Sequence, residues 1–388
     1  MLRKALLITA FLCGGLAMLF TIWIVVPAPS FSLFQVAVGA SEWSLWFGAL
    51  GLAGAALSLP ARAAGSGRAA RVALLLGIVA VGLSLIPPLD GWRVARANEI
   101  ELSLGQYLFG SRDDQIARVE RATETFATVE CQTLKLDVYL ARAKETTARR
   151  AAIVVVHGGS WGAGERSDYP RWNEWLAREG YAVFDIDYRL APQPNWQTAT
   201  GDVKCAVGWI KANAVRFAVD PARVALLGRS AGGHLALLAA YSTHESALAP
   251  SCDVPDASVR AVVSLYAPTD LKWGYEHPAN RRVLDGQVKI RDFVGGTPAD
   301  APEAIRLASA TTHINSQSPP TLLFHGGRDQ LVGDRHMTLL TERLSQHRIP
   351  HRTLLIPYAQ HAYDYNFDGW GSQLTRPLLL NFLREHLN

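Results

Sequence analysis

A serine between two glycines is the first feature of this 388-residue sequence that could do chemistry. The segment GRSAG (228–232) directly follows an apolar run (224–227) and directly precedes an apolar, helix-like stretch. A serine on such a sharp strand-to-helix turn adopts strained backbone angles, and small residues two before and two after it allow the tight turn. The amino end of the next helix favours negative charge at the serine. The pattern predicts that Ser230 is a nucleophile; the alternative is a tight turn of a Rossmann-like sheet that carries no chemistry.

A second glycine turn, HGGSW (157–161), follows the apolar run AAIVVV (151–156). Glycines let backbone N–H groups approach the oxyanion that forms in acyl transfer, and such donors carry much of the catalysis. Glycine-rich turns also bind phosphate, but this one lacks the lysine and Ser/Thr of a Walker loop and the third glycine of a dinucleotide fold. Beside the serine turn, it predicts an oxyanion hole.

A serine hydroxyl needs a base that an acid orients, and many hydrolases carry the three in the chain order Ser, Asp, His. Asp329 and His361 each follow an apolar run of the kind that forms a buried strand. We therefore predict Asp329 as the acid and His361 as the base. Asp270, which follows another apolar run, and Asp364, three residues past the histidine, are the competing acids.

Strands and helices that would position these residues alternate from residue 135 to the carboxyl terminus. Strands are predicted at 135–140, 151–156, 182–186, 224–227, 261–265, 321–324 and 353–356, and helices at 169–179, 199–214, 232–241, 334–347 and 374–387. Continuous apolar runs are typical of strands buried in a parallel sheet, and the alternation predicts a doubly wound α/β fold. In such folds the site lies at the carboxyl ends of the strands.

These motifs, with DYRLAP (187–192) and HLA (234–236), resemble the α/β-hydrolase esterases of the hormone-sensitive-lipase-like and feruloyl-esterase-like (BD-FAE-like) group. The resemblance covers about 135–388 and implies an α/β-hydrolase fold there. It also implies that the backbone N–H groups of Gly159, Ser160 and Ala231 form the oxyanion hole. Many relatives have a third glycine where this chain has Ser160, a change that keeps the N–H but can alter the shape of the acyl pocket.

The residues and the resemblance together predict hydrolysis of carboxylic esters of short or medium acyl groups through an acyl-enzyme. This chemistry needs no cofactor and no metal. The alternatives are an amidase or acyltransferase with the same triad, or a non-catalytic membrane sensor. The segment 271–312 is either a lid or an ordinary crossover. The resemblance further implies structural roles for Tyr188, Arg189 and Asp202, with Arg189 in a buried ion pair.

The first 97 residues have the composition of a membrane region. Charge-free stretches at 5–26, 43–59 and 72–89 approach the roughly 20 apolar residues that cross a bilayer as a helix. Gly48, Gly51 and Gly54 suit close helix packing in lipid. We predict three transmembrane helices (1–97), a connector (98–134) that is polar and helix-compatible over 98–125, and a catalytic domain (135–388). The alternatives are a single anchor, or a signal peptide followed by buried helices.

The positions of lysine and arginine predict the orientation. Arg3 and Lys4 precede the first stretch and three arginines lie between the second and third, whereas 27–42 has neither residue. The positive-inside rule then places the amino terminus in the cytoplasm and the catalytic domain on the outer side of the membrane. Beyond residue 97 the chain is nearly neutral, which disfavours a nucleic-acid partner and leaves a small or lipid-like ester as the expected one.

Three cysteines lie beyond the membrane region, Cys131, Cys205 and Cys252. An odd number leaves at least one of them unpaired, so one disulfide is compatible with the sequence and its pairing stays open. No cysteine or histidine spacing in the sequence suggests a metal site.

Overall fold

The computed structural model describes residues 2–63, 67–111, 118–141 and 149–387. Within these ranges eight strands form one sheet in the order β1-β2-β4-β3-β5-β6-β7-β8. They are β1 (Val119–Val129), β2 (Gln132–Ala141), β3 (Arg150–Val156), β4 (Ala182–Ile186), β5 (Val219–Arg229), β6 (Ala261–Leu265), β7 (Thr321–Gly326) and β8 (His351–Ile356). β2 pairs antiparallel with β1 and β4, and every pair from β4 to β8 is parallel. The predicted mostly parallel α/β sheet is confirmed.

The amino-terminal region consists of helices α1 (Leu2–Thr21), α2 (Phe31–Glu42), α3 (Ser44–Ala63), α4 (Gly67–Ser84) and α5 (Ile86–Ala97). Three segments are long and apolar enough to cross a membrane: Arg3–Ile24, Ser44–Ala63 and Gly67–Ala97. They pack through small residues, because a Cβ on Gly54 would lie only 2.5 Å from the backbone nitrogen of Gly14. Large apolar side chains such as Leu12 and Leu52 are exposed on the outside of the bundle.

The connector predicted at 98–134 differs from the structure. Its described residues hold one short helix, α6 (Leu104–Phe109), the strand β1 and the start of β2. The helix-compatible interpretation of 98–125 is therefore wrong for the part that forms the edge strand. Residues 112–117 lie outside the described ranges. An edge strand that exposes polar residues on both faces has no clear alternation to recognise. Arg121 and Thr123 of β1 both bond the buried Asp137 of β2, at 2.6 Å each.

Helices cover both faces of the sheet. α8 (Trp196–Ala212), α9 (Ala231–Tyr241) and α13 (Arg335–Gln346) pack on one face, and α7 (Pro170–Arg178) and α14 (Trp370–Leu387) on the other. The strands between them alternate, with Val154 in one core and Val155 in the other. Between β6 and β7 the chain forms α10 (Leu271–Glu276), α11 (Gly286–Val294) and α12 (Pro302–Leu307).

Candidate active site

Ser230 sits alone between β5, which ends at Arg229, and α9, which begins at Ala231. Its φ of +54° and ψ of −122° are strained for a residue with a side chain, and such strain persists where the surroundings enforce it. Both flanking glycines are required. A Cβ on Gly228 would lie 2.1 Å from the Gly232 carbonyl oxygen, and one on Gly232 would lie 2.2 Å from a carbonyl oxygen of β3.

The structure brings the three predicted site residues together. Ser230 Oγ lies 2.8 Å from His361 Nε2, and His361 Nδ1 lies 2.6 Å from Asp329 Oδ2. Ser230 follows β5, Asp329 lies in the loop after β7 and His361 lies in the loop after β8. Because β5, β6, β7 and β8 are parallel neighbours, the three residues lie at the same edge of the sheet. This hydrogen-bond chain can move a proton from the serine to the imidazole.

The carboxylate of Asp329 is fully buried and held on both sides. Its Oδ1 accepts backbone N–H groups from Leu331 (2.8 Å) and Val332 (2.9 Å), and His325 Nε2 lies 3.4 Å from its Oδ2. Burial alone would raise the pKa of Asp329, but the neighbouring His361 and His325 lower it well below the usual range. Asp329 is therefore charged at neutral pH, as an acid that orients an imidazole must be.

The two competing carboxylates have other partners. Asp364 accepts hydrogen bonds from Arg229 Nε and Tyr266 OH, both at 2.6 Å. Asp270 accepts the Trp273 N–H at 2.9 Å as the cap of α10. The buried Arg229 keeps its charge, because its attraction to Asp364 and the nearby tyrosines outweighs burial and raises its pKa.

The turn HGGSW lies against the serine turn. A Cβ on Gly158 would be 3.3 Å from that of Ser230, and one on Gly159, at φ +113°, would overlap the Ala163 carbonyl. Ser160 adopts φ +52°, a conformation that glycine takes without strain. Ser160, Gly159 and Ala231 line the same cavity as Ser230.

Tyr188, Arg189 and Asp202, which the resemblance makes structural, bond to other parts of the fold. Arg189 pairs with Asp202 at 2.8 Å and both side chains are buried, as expected. Tyr188 OH donates to the carbonyl of His157 at 3.2 Å. Cys205 and Cys252 form a disulfide, while Cys131 is exposed with a free thiol.

A cavity of about 620 Å³ opens onto Ser230 and His361. Part of its lining comes from the segment between β6 and β7, including Gly274 and Ile290, so this segment shapes the cavity. Another part comes from α2, a helix that the sequence analysis does not predict. The available signal was the apolar residues of 27–42 at helical spacing, but their partner could not be identified from the sequence. Among the described residues no group of three or more His, Cys, Asp or Glu could hold a metal ion.

A mostly parallel eight-stranded sheet, a strained serine turn after a central strand, and a serine, an aspartate and a histidine that follow in that order along the sequence define an α/β-hydrolase. The BD-FAE family model matches residues 136–344, and the chain belongs to this family.

The chain is similar to several proteins named as esterases. Esterase LipC of Mycobacterium tuberculosis is 32% identical over 259 residues, covering 64% of this chain and 62% of LipC. The probable carboxylic ester hydrolase LipM of the same organism is 30% identical over 234 residues, covering 59% and 53%. The chain thus spans about half to three fifths of these relatives. The propionate-bound esterase Est2 of Thermogutta terrifontis, a Planctomycetes species, superimposes with a TM-score of 0.55 and 25% identity, covering 69% of this chain and 94% of that one.

Proposed function

We propose that this protein is a carboxylesterase with Ser230 as its nucleophile. The observation that carries the proposal is the unbroken hydrogen-bond chain from Ser230 through His361 to the buried Asp329, at the edge of a largely apolar cavity. The similarity to LipC, LipM and Est2, all named as ester hydrolases, supports an ester as the substrate.

The reaction has two acyl-transfer steps. His361 Nε2 takes the hydroxyl proton of Ser230 as its Oγ bonds to the ester carbonyl carbon, and Asp329 holds Nδ1–H and stabilises the imidazolium. The oxyanion accepts backbone N–H groups of the two turns, from Gly159, Ser160 and Ala231. The C–O bond then breaks and His361 gives its proton to the leaving alcohol. Water, deprotonated by His361, attacks the acyl-enzyme and releases the carboxylic acid and the free serine.

Short or medium acyl groups are the proposed substrates. Est2 has been solved bound to propionate and bound to butyrate, both short carboxylates, and this supports a short acyl group for a chain of the same fold. The cavity of about 620 Å³ lies within the range of small-molecule sites, so it can also take a longer group.

The test is hydrolysis of p-nitrophenyl butyrate by the full chain and by Ser230→Ala. We expect the variant to lose at least about 10³-fold in kcat, since loss of a triad nucleophile removes most of the rate acceleration. Ser345→Ala, at an exposed position on α13, is the matched control. Wild-type activity in Ser230→Ala would refute the nucleophile, and faster cleavage of butyryl p-nitroanilide than of the ester would indicate an amidase.

We also propose that the three apolar segments cross the membrane, with the amino terminus in the cytoplasm and the catalytic domain outside. Helix α2 follows the first crossing and the catalytic domain follows the third, so three crossings place both on the same side of the membrane. Hydrogen bonds between the two regions support this count: Asn280 Nδ2 donates to the Ala28 carbonyl at 2.8 Å, and Asn366 Nδ2 donates to the Glu42 carbonyl at 3.2 Å. Arg62, near the end of the second segment, and Arg68 and Arg71, near the start of the third, support the orientation.

A further inference from the structure

Helix α2 forms a wall of the cavity that opens onto Ser230. Its residues on that wall include Phe31, Phe34, Val38 and Gly39, and Trp43 follows directly after the helix. With Gln35, the four helical residues stand at positions one, four, five, eight and nine of α2, which puts them along one side of the helix. Gln35 is the one polar side chain that α2 adds to the cavity lining, and the helix has no charged residue before Glu42, so this wall is otherwise apolar.

Both ends of α2 are tied to the loops that carry the acid and the base. At the carboxyl end, Asn366 Nδ2, from the loop that holds His361, donates to the Glu42 carbonyl at 3.2 Å. Just before the helix, the Ala28 N–H donates to Gln330 Oε1 at 2.7 Å, and Gln330 Nε2 donates to Gln360 Oε1 at 3.2 Å. Gln330 follows Asp329 and Gln360 precedes His361, and both glutamines are buried. Along the helix, Phe34 packs with Val283 of the catalytic domain. The wall therefore has a defined position relative to the reacting atoms.

Helix α2 also joins two segments that can cross a membrane, Arg3–Ile24 and Ser44–Ala63. A short helix between two crossings lies at the bilayer surface, where exposed aromatic residues are favoured. Phe31 and Trp43, near its two ends, are 47% and 38% exposed. The apolar wall thus borders the layer in which an amphiphilic molecule would be dissolved.

We propose that α2 is part of the substrate site, that it forms the wall against which the acyl chain lies, and that the substrate is an amphiphilic ester of medium chain length. This inference rests on the proposed esterase activity and adds the substrate class. Each methylene that leaves water for this wall favours binding by about fourfold, so the rate constant kcat/KM rises with acyl length until the wall ends.

The test compares acyl lengths in the full chain, purified in detergent, with p-nitrophenyl acetate, butyrate and octanoate. Gly39→Phe is the key variant, because a Cβ there meets only the Trp43 ring, at 3.9 Å, and the larger side chain would fill the cavity. We expect it to lower the octanoate-to-acetate ratio of kcat/KM at least tenfold. At about fourfold for each methylene, this corresponds to losing the contact of fewer than two methylenes with the wall. Val38→Trp, on the same wall, should shift the ratio in the same direction.

Gly82→Phe is the matched control, since Gly82 is an exposed helical glycine of α4 with open space at its Cβ. It should keep the wild-type ratio within about twofold. A partly misfolded sample lowers the rates on octanoate and on acetate by the same factor, so the octanoate-to-acetate ratio reports on the wall alone. An unchanged ratio in both Gly39→Phe and Val38→Trp, or a wild-type enzyme that prefers acetate, would overturn the inference while leaving the esterase intact. A wild-type chain that cleaves none of the three esters would instead remove the proposed function, and the inference with it.

Discussion

Replacing Asp329 by asparagine changes one atom and should disable the site through the tautomer of His361. In the native site Oδ2 accepts the Nδ1–H of His361 at 2.6 Å, while Oδ1 accepts two backbone N–H groups, from Leu331 and Val332. An amide NH₂ at the Oδ1 position would face two donors, so the asparagine must keep its oxygen there. Its NH₂ then faces Nδ1 and donates to it.

A donor at Nδ1 forces the proton of a neutral His361 onto Nε2, which can then no longer accept the Ser230 proton. In a serine protease the same change lowers kcat by about 10⁴, and a loss of roughly 10³–10⁴ corresponds to about 4–5.5 kcal/mol of transition-state stabilisation. We therefore expect Asp329→Asn to lose this much in kcat on p-nitrophenyl butyrate, in stopped assays long enough to detect a 10⁴-fold slower rate.

Asp270→Asn is the matched control, because asparagine can still cap α10 through its oxygen. It should keep activity within about threefold of the wild type, and circular dichroism should show that both variants are folded. Retention of more than a tenth of the wild-type kcat by Asp329→Asn would refute the tautomer argument. A crippled Asp270→Asn beside an active Asp329→Asn would mean that the acid is assigned to the wrong strand.

Three further predictions concern the frame around the site and its place in the cell. Asp364→Asn leaves the buried charge of Arg229 without its charged partner, so we expect the free energy of unfolding to fall by about 3–5 kcal/mol. The thermal midpoint should then fall by roughly 10 °C, and a shift below about 2 °C would contradict this. Cys205→Ala removes a disulfide that spans 47 residues, and chain entropy predicts that the free energy of unfolding, measured in urea, falls by about 4 kcal/mol. A urea midpoint equal to that of the wild type would show that the disulfide does not stabilise the fold. Protease added to intact spheroplasts should degrade the catalytic domain, and protection until the membrane is opened would reverse the proposed orientation.

The catalytic half of the fold could be predicted because local pattern and global topology agree there. Short, β-branched apolar runs such as AAIVVV, alternating with helical stretches, favour buried parallel strands, and parallel strands bring their carboxyl ends to one edge. A serine turn, an aspartate and a histidine after three of these strands must therefore meet. Topology alone does not select Asp329 over Asp364, since the loop that holds His361 also holds Asp364; the structure shows Asp364 bonded to Arg229.

Other features could not be predicted because they depend on contacts with residues far away in the sequence. β1 is polar since it lies at the edge of the sheet, and its charged Arg121 is held by Asp137 of the next strand rather than by a helical neighbour. The pairing of Cys205 with Cys252 depends on how α8 lies beside the loop after α9. In each case the residues are compatible with several local structures, and tertiary contact selects one.

Helix α2 is the most important feature of this kind, because through it the amino-terminal region lines the cavity that opens onto Ser230. A chain that begins at residue 98 would keep Ser230, His361 and Asp329 but would lack the apolar wall and the Ala28 N–H that binds Gln330 beside the acid. Its cavity would be open to water on the side where the acyl chain is proposed to lie, so added methylenes would bury less surface and gain less rate. Acyl-length preferences measured on such a fragment would therefore describe a different site, and the substrate class must be determined on the full chain.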